Sequence, residues 1–357
     1  MAAWLLLVFA LAPAFAIAQQ VAAKSNVQLS LNENPFGPAP GVVKAINKET
    51  ANIARYTGEE GEHLIAAIAL HEGVDKDQIV TGEILELLGV YLGLKGGPGG
   101  EFIYTVPGYP ALVNAAARVG GVVVSVPLND KLENDLPAIA SHINAKTQAI
   151  FLVNPHNPSG TVTESAKFHE FLHQVSKQAL VIVDEAYLEF ADHFAERTAV
   201  INTKAGDNVI VFRTFAKAYG LAGLSLGYAV APKAIAAYLK QQGLGGLHDL
   251  NRLSIAAAEA SLADQGYIQH VHQLVTVERN KWNHVMDELK LNHTASEANF
   301  VYFDTKKPYA IVESKFKQAG ITIGRVFPPY DTWIRISIGL PEENAKAQAV
   351  IRDLSNN

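Results

Sequence analysis

The sequence predicts an α/β protein in which a mainly parallel sheet is sandwiched by helices and followed by a smaller α+β domain. Three observations support this prediction. Apolar, β-branched segments alternate with segments of helical periodicity, the order that crossover connections between parallel strands require. Three of these apolar segments are followed directly by polar residues. In open α/β sheets, ligands bind at the carboxyl ends of the strands, where such residues lie. After about residue 234, a long helical region precedes short strands, which indicates an α+β domain.

The elements can be taken in chain order. LSLNENPFGPAPGVVKAI indicates an extended arm, a Pro/Gly turn and a helix, and HLIAAIALHEG and ILELLGVYLGL have helical periodicity. Apolar runs typical of strands follow at Phe102–Val106, VVVSVPL (of the buried type), AIFLV, ALVIV and NVIVF. FHEFLHQVSK is a helix with Phe168, Phe171, Leu172 and Val175 on its buried side. Towards the C-terminus, the strands ANFVYFDT, ITIGRV and WIRISIG surround the helix YAIVESKFKQ.

Composition excludes several classes of protein. The formal charge of −6 argues against a nucleic-acid partner, because such a footprint is normally basic. The absence of cysteine excludes disulfides, thiolate chemistry and cysteine-ligated zinc. The phosphate loops GxxxxGK[ST] and GxGxxG do not occur either. A hydrophobic fraction of 49 % in 357 residues describes an ordinary globular enzyme with a large core.

The N-terminus is predicted to be a secretory signal peptide, residues 1–18. An apolar run from Trp4 to Phe15 is followed by Ala16-Ile17-Ala18, a small-x-small cleavage pattern, although no basic residue precedes the run. The run is too short to span a bilayer comfortably, and an apolar N-terminal core helix is the alternative. We therefore expect cleavage near Ala18-Gln19, a periplasmic or secreted protein and no stable membrane insertion of the mature chain. The remaining segments are the arm (25–50), a large domain (51–233) and a small C-terminal domain (234–357).

Three polar residues at predicted strand ends suggest chemistry. Asn157 follows AIFLV, Asp184 follows LVIV and Lys217 follows VIVF. Taken alone, each has an ordinary interpretation: a turn former, a helix-capping acid and a solvated loop lysine. Together they supply an amide, an acid and an amine nucleophile, the groups that a pyridine-aldehyde cofactor needs.

Two short motifs suggest other enzymes. His169-Glu170-Phe171-Leu172-His173 matches the HExxH zinc signature, but no HxxGxxH extension supplies a third ligand, and the helix suits a sheet-covering crossover. Gly223-Leu224-Ser225-Leu226-Gly227 matches the hydrolase motif GxSxG. That motif requires a strand before the serine and a helix after it, whereas here a loop precedes and an apolar strand follows. No metal site is therefore predicted.

The ordered motifs NPHNPSGT, VIVDEAY and RTFAKAYGLAGLSLGY resemble those of fold-type-I pyridoxal-phosphate aminotransferases, most closely the histidinol-phosphate aminotransferase group. The resemblance extends from LNENPFGP (31–38) to RISIGLPEEN (335–344). It implies pyridoxal 5′-phosphate as cofactor, an amino acid and a 2-oxo acid as substrates, and a homodimer with shared active sites.

The resemblance also implies residue roles. Lys217 would hold the cofactor covalently and carry a proton, Asp184 would pair with the pyridine nitrogen, and Asn157 and Tyr187 would hold the ring hydroxyl. The other implied contacts are Tyr109 on the ring face; Gly82, Glu83, Ile84 and Thr214 at the phosphate; Tyr56 at the phosphate of a neighbouring subunit; Arg335 on the substrate carboxylate; and Asn34 and Arg325 as secondary substrate contacts.

The chain departs from the family pattern at the phosphate. Ser225 stands where the family has arginine, Ala216 stands where it usually has serine, and the turn before ILELL reads Thr81-Gly82-Glu83-Ile84. Arg213 is a candidate to compensate. Separately, the predicted secretion signal argues against histidine biosynthesis, which belongs in the cytosol, so we expect an exported aminotransferase with a different amino donor and acceptor. A lyase or racemase on the same scaffold and a cofactor-poor binding protein remain open as alternatives.

Overall fold

The computed structural model describes residues 26–246 and 250–356, so the predicted signal peptide lies outside the described residues. The strands are β1 (Val27–Leu29), β2 (Ile79–Thr81), β3 (Glu101–Val106), β4 (Val122–Pro127), β5 (Thr147–Val153), β6 (Leu180–Asp184), β7 (Val209–Thr214), β8 (Gly227–Val230), β9 (Phe300–Asp304), β10 (Ile321–Ile323) and β11 (Trp333–Ser337).

The helices are α1 (Pro40–Glu49), α2 (Glu59–Glu72), α3 (Leu85–Gly96), α4 (Ala111–Ala117), α5 (Leu136–Ser141), α6 (Ser165–Val175), α7 (Phe194–Arg197), α8 (Val200–Lys204), α9 (Lys233–Gln241), α10 (Arg252–Ala263), α11 (Gln265–Glu288), α12 (Tyr309–Gln318) and α13 (Pro341–Asn356). The long C-terminal helical region is divided at Asp264, whose side chain accepts from the backbone N–H of Tyr267 and caps α11. None of the described helices is long and apolar enough to cross a membrane.

A seven-stranded sheet has the order β2-β8-β7-β6-β5-β3-β4. The pairs from β7 to β4 are parallel, while β8 is antiparallel to β7 and to β2. Successive residues of β6 face opposite sides: Val181 and Val183 pack in one apolar cluster and Ile182 in another. Apolar clusters on both faces confirm the predicted sheet covered by helices.

Strand β4 differs from the prediction. VVVSVPL was expected to be of the buried type, but β4 is the edge strand of this sheet, and Val122 is 46 % exposed. A β-branched run suits any pleated surface, so it indicates a strand without fixing that strand's place in the sheet.

The C-terminal part contains two small sheets. In one, β9 pairs antiparallel with β11; in the other, β10 pairs in parallel with β1 of the N-terminal arm. The arm is thus joined to the C-terminal part, although the sequence indicated only an extended segment. The domain division near residue 233 remains a prediction.

A buried ionic cluster lies beside β7. The guanidinium of Arg213, 1 % exposed, contacts Glu185 (2.9 Å), Glu72 (3.2 Å) and Glu189 (3.4 Å). Burial raises the pKa of both Glu185 and Glu189 to about 7, and the nearby guanidinium offsets part of that rise. Arg213 is thus committed to three carboxyl groups and does not supply the compensating cation that the sequence suggested.

The two competing motifs also have structural explanations. In α6, His169 Nδ1 lies 2.6 Å from Asn202 Oδ1 and His173 Nδ1 lies 2.8 Å from Asp207 Oδ1, so both imidazoles bond to neighbouring side chains. The predicted buried side of α6 is confirmed. Ser225 has a left-handed φ of 44° and lies just before β8, which is the reverse of a hydrolase elbow.

Candidate active site

The carboxyl ends of β5, β6 and β7 meet at one cavity of about 960 Å³. Neighbouring parallel strands end at the same edge of the sheet, so the polar residues that follow them are brought together. Most of the sequence-predicted site residues line this cavity: Glu83, Tyr109, Asn157, Asp184, Tyr187, Thr214, Lys217, Arg325 and Arg335.

Asp184 is the last residue of β6 and is 3 % exposed. Its Oδ1 accepts the backbone N–H of Ala186 at 3.0 Å. Burial raises the pKa of Asp184 to about 7, and Glu83 and Glu185 add to that rise. A buried carboxyl beside a cavity favours a cationic N–H partner, because such a partner stabilises the ionised form.

Lys217 reaches the cavity from the loop after β7 and is half-buried. Its Nζ donates to the carbonyl of Leu31 at 3.0 Å and lies 5.9 Å from the centroid of the Tyr187 ring. The N-terminal arm therefore holds the amine through a neutral acceptor beside Tyr187.

Arg335, Asn157 and Tyr187 form a continuous chain of hydrogen bonds. Arg335 Nη1 donates to Asn157 Oδ1 at 2.6 Å, and Asn157 Nδ2 donates to the Tyr187 hydroxyl at 3.2 Å. Arg335 Nη2 donates to the carbonyl of Ser30 at 2.7 Å. Burial lowers the pKa of Arg335, and its Nε is buried without a partner among the described residues. The guanidinium fixes the orientation of the Asn157 amide.

Asn32 belongs to the site but was not among the predicted residues. Its Nδ2 donates to the Tyr187 hydroxyl at 3.2 Å, and its Oδ1 accepts from Ser337 Oγ at 3.0 Å. Asn34, which was predicted, is not brought to this cavity: its amide donates to the carbonyl of Ala218 at 2.8 Å. Both asparagines lie in LNENP, so the motif indicated the right segment but not which of its two asparagines faces the cavity.

The remaining predicted residues differ in position. Tyr109 lines the cavity after β3, and burial is the main cause that raises its pKa to about 12, with Asp184 adding to the rise. Arg325 packs with its guanidinium carbon 4.2 Å from the centroid of the Phe327 ring. Tyr56 is 89 % exposed and lines a separate cavity, so its expected role at another subunit stays a prediction.

Of the four residues predicted at the phosphate, Glu83 and Thr214 line the cavity at its β2 and β7 side, whereas Gly82 and Ile84 are not among its lining residues. Thr214 Oγ1 donates to Glu83 Oε1 at 3.3 Å, and Gly82 has a positive φ of 117° that favours glycine. Ile84 is buried and precedes α3. Ser225 is not among the residues that line the cavity.

Comparisons with known proteins agree with this geometry. The sequence profile of the family "Aminotransferase class I and II" matches residues 24–350. The chain is 34 % identical to a histidinol-phosphate aminotransferase of Limosilactobacillus fermentum, covering 92 % of this chain and 91 % of the relative. It is also 34 % identical to an aromatic amino acid aminotransferase of Cutibacterium acnes, covering 91 % of each.

A solved histidinol-phosphate aminotransferase of Sinorhizobium meliloti in complex with pyridoxal-5′-phosphate superposes with a TM-score of 0.82, at 28 % identity, over 92 % of this chain and 91 % of that one. The fold and cavity define a fold-type-I enzyme of the pyridoxal-phosphate class. The chain belongs to the aminotransferase class I and II family, and within it is a transaminase similar to histidinol-phosphate aminotransferases.

The cofactor of this family is pyridoxal 5′-phosphate, and the residues present fit its ring. Asp184 offers a buried carboxyl, Lys217 offers an amine, and Asn157 and Tyr187 offer an amide and a hydroxyl that already bond to one another. When bound, the ring supplies an acceptor for the electron pair left at the substrate α-carbon. Where the resemblance places the phosphate, the hydroxyl of Thr214 suits that group, whereas the carboxyl of Glu83 does not.

Proposed function

We propose that this transaminase moves an amino group between an aromatic amino acid and a 2-oxo acid, in an exported homodimer. The observation that supports the site is that the Lys217 amine and the buried Asp184 carboxyl line one cavity with Arg325 and Arg335. These groups supply a proton carrier, an anion beside the ring nitrogen and a binding site for an anionic substrate.

Each side chain then has a defined task. Lys217 Nζ would carry a proton between the substrate α-carbon and the cofactor. General acid–base catalysis of this kind typically accelerates a reaction by about 10²–10⁴-fold. With the cofactor bound, Asp184 would keep the pyridine nitrogen protonated. The hydroxyl of Tyr187 and the amide of Asn157 would hold the ring hydroxyl, and Tyr109 would contact a ring face.

Arg335 and Arg325 select an anionic group on the substrate. A guanidinium binds a carboxylate through two parallel hydrogen bonds, which fixes orientation as well as adding affinity. Phe327, Ile323 and Tyr109 line the same cavity and suit a flat apolar side chain. The relatives name histidinol phosphate and aromatic amino acids. Export argues for the latter, because histidine biosynthesis belongs in the cytosol.

Export and assembly complete the proposal. The apolar run and Ala16-Ile17-Ala18 support cleavage before Gln19. A dimer would place Tyr56 near the cofactor phosphate of the partner. N-terminal sequencing of protein from cell fractions tests the first point, and sedimentation with and without cofactor tests the second. An intact N-terminus in the cytosol would contradict export.

The central experiment titrates the purified mature protein with pyridoxal 5′-phosphate and records absorbance. We expect a visible absorbance band that borohydride removes, with the label on Lys217. Lys217→Ala should lose the band and at least about 10²-fold of activity. Lys177→Ala, a surface lysine after α6, is the matched control and should keep both. Labelling of another lysine would refute the assignment.

A substrate panel then distinguishes the reactions. Aromatic amino acids with 2-oxoglutarate, and histidinol phosphate as a separate arm, are followed by formation of the amino and oxo products. Conversion without an oxo acid, or loss of chirality alone, would favour a lyase or racemase. The altered phosphate end favours one other candidate, a binding protein with little cofactor, which predicts no absorbance band at saturating cofactor.

A further inference from the structure

The order of strands separates two sides of the cofactor cavity. Asp184 ends β6, which lies between β5 and β7 in the sheet. Asn157 follows β5 on one side, and Thr214 ends β7 on the other. Glu83 follows β2, which lies beyond β7 and β8 on the Thr214 side. The cavity thus has an amide end and a carboxyl end.

The positions of the hydroxyl and the phosphate on the cofactor ring indicate which end of the cavity each group would occupy. The ring hydroxyl and the phosphate-bearing carbon flank the reactive aldehyde on opposite sides. If Asn157 and Tyr187 hold the hydroxyl, as the proposed function requires, the phosphate points to the side of Thr214 and Glu83. The inference therefore depends on the proposed placement of the ring.

The charges at this end are mostly negative. Glu83 accepts from the Thr214 hydroxyl, so the carboxyl occupies a donor that an incoming phosphate could use. Glu86 also lines the cavity, although its carboxyl bonds to Arg118 Nη2 at 3.2 Å. Within the described chain, the cations that line the cavity are Lys217, Arg325 and Arg335.

We propose that Glu83 determines cofactor specificity in this chain: its carboxyl opposes the cofactor phosphate, so phosphate binding is coupled to uptake of a proton by Glu83 or to its displacement from Thr214. This coupling predicts weaker discrimination between pyridoxal 5′-phosphate and pyridoxal as pH rises.

Other titratable groups face Glu83 and must be separated from it. They are Lys217 after β7, Asp184 at the end of β6, Tyr109 after β3 and Glu86 in α3. Burial raises the pKa of Glu83, while Thr214 and Lys217 oppose that rise. Lys217 and Asp184 act on the amine link and the ring nitrogen, which pyridoxal and its phosphate share. The ratio of the two dissociation constants therefore reports on the phosphate end. The second ionisation of the phosphate itself, with a pKa of about 6, affects this ratio in the wild type and in Glu83→Gln alike, so the comparison of the two proteins isolates Glu83.

The experiment measures both dissociation constants by absorbance and fluorescence titration between pH 5.5 and 8.5. In the wild type, the preference for the phosphorylated form should fall as pH rises. Glu83→Gln should increase that preference by about tenfold at pH 8, the effect of one pKa unit of charge interaction, and flatten its pH dependence. Pyridoxal itself should bind Glu83→Gln as it binds the wild type, within about twofold.

Glu86→Gln is the matched control. It removes the same charge three residues further on, from a carboxyl already paired with Arg118, so the ratio should change less than about twofold. Equal effects of the two variants would overturn the inference in favour of a general charge effect. If Glu83→Gln binds both ligands and the ratio of their dissociation constants is unchanged, the inference about Glu83 is overturned while the proposed function stands. Binding of neither ligand to any variant would overturn the proposed function as well.

Discussion

Arg335 holds the Asn157 amide by a hydrogen bond from Nη1 to Oδ1 at 2.6 Å, joining β11 to the loop after β5. The residue proposed to bind the substrate anion therefore also orients the residue proposed to hold the cofactor hydroxyl. If both roles hold, one guanidinium couples substrate recognition to cofactor recognition.

Arg335→Lys tests this coupling. Lysine keeps the charge but has no planar fork, so it cannot bond to Asn157, to Ser30 and to a carboxylate together. Loss of a hydrogen bond to a charged group costs about 1.5–3 kcal/mol, and we expect kcat/KM for the amino acid to fall roughly 10–150-fold. Steady-state kinetics provide the measurement. Arg352→Lys, on the surface beside Glu288, is the control. An unchanged kcat/KM would remove Arg335 from the substrate site.

The pKa of Asp184 predicts how stability depends on pH. Its folded pKa of about 7 lies above the ordinary value of 3.8, so the cofactor-free fold holds the proton more tightly than the unfolded chain does. Stability is therefore highest below pH 4 with respect to this group and is lost as pH rises to about 7. Asp184→Asn should remove part of that loss, roughly 2–4 kcal/mol.

Urea unfolding of cofactor-free protein at pH 5 and pH 8 measures the Asp184 effect. Glu185 and Glu189 have raised pKa values as well, so some pH dependence should persist in Asp184→Asn. Asp130→Asn, an exposed site, should behave as the wild type does. If Asp184→Asn is as pH-sensitive as the wild type, the carboxyl is not the buried acid described.

Asn32→Gly tests the residue that sequence analysis missed. Asn32 has a φ of 56°, a conformation that glycine also adopts, so the variant avoids backbone strain. It removes the side-chain bonds to Tyr187 and to Ser337, of which only the first reaches a predicted cofactor contact. One neutral hydrogen bond is worth about 0.5–1.5 kcal/mol, so we expect kcat/KM to fall about 2–13-fold. The absorbance band of the bound cofactor should also shift. Unaltered kinetics and spectrum would show that Asn32 supports only the backbone.

Arg213→Met tests the ionic cluster beside β7. Removing one guanidinium leaves three carboxyl groups buried together, which should cost about 3–5 kcal/mol of unfolding free energy. The loss should be larger at pH 8 than at pH 6, because the pKa values of Glu185 and Glu189 are about 7 with the guanidinium present and rise further without it. Arg118→Met breaks an exposed pair with Glu86 and should cost at most about 1 kcal/mol. Equal losses in the two variants would contradict the cluster's role.

Much of the fold could be predicted because its signals are local. The alternation of apolar strands and amphipathic helices indicated the parallel sheet, and the residues just after those strands indicated Asn157, Asp184 and Lys217. Helix α6 showed its buried side in the spacing of its phenylalanines and leucine. Such patterns depend only on residues that lie close together in the sequence.

The rest depends on contacts between distant residues. Asn32 and Asn34 are chemically identical, and the partners that distinguish them, Ser337 for one and Ala218 for the other, lie far along the chain. Similarly, Arg213 looked available for a phosphate, but its acidic partners come from two other segments: Glu72 ends α2, and Glu185 and Glu189 follow β6. The exposure of β4 was missed because residue type does not reveal which strand ends a sheet.

The pairing of β1 with β10 joins Val27 to Ile321 and positions Leu31 beside Lys217 and Asn32 beside Tyr187. Synthesis on the ribosome must pass Ile321 before β1 can pair with β10. Because closing so long a loop costs conformational entropy, we expect this pairing to form late in folding. Nascent or truncated chains that end before Ile321 can therefore acquire most of the sheet while lacking a finished catalytic centre.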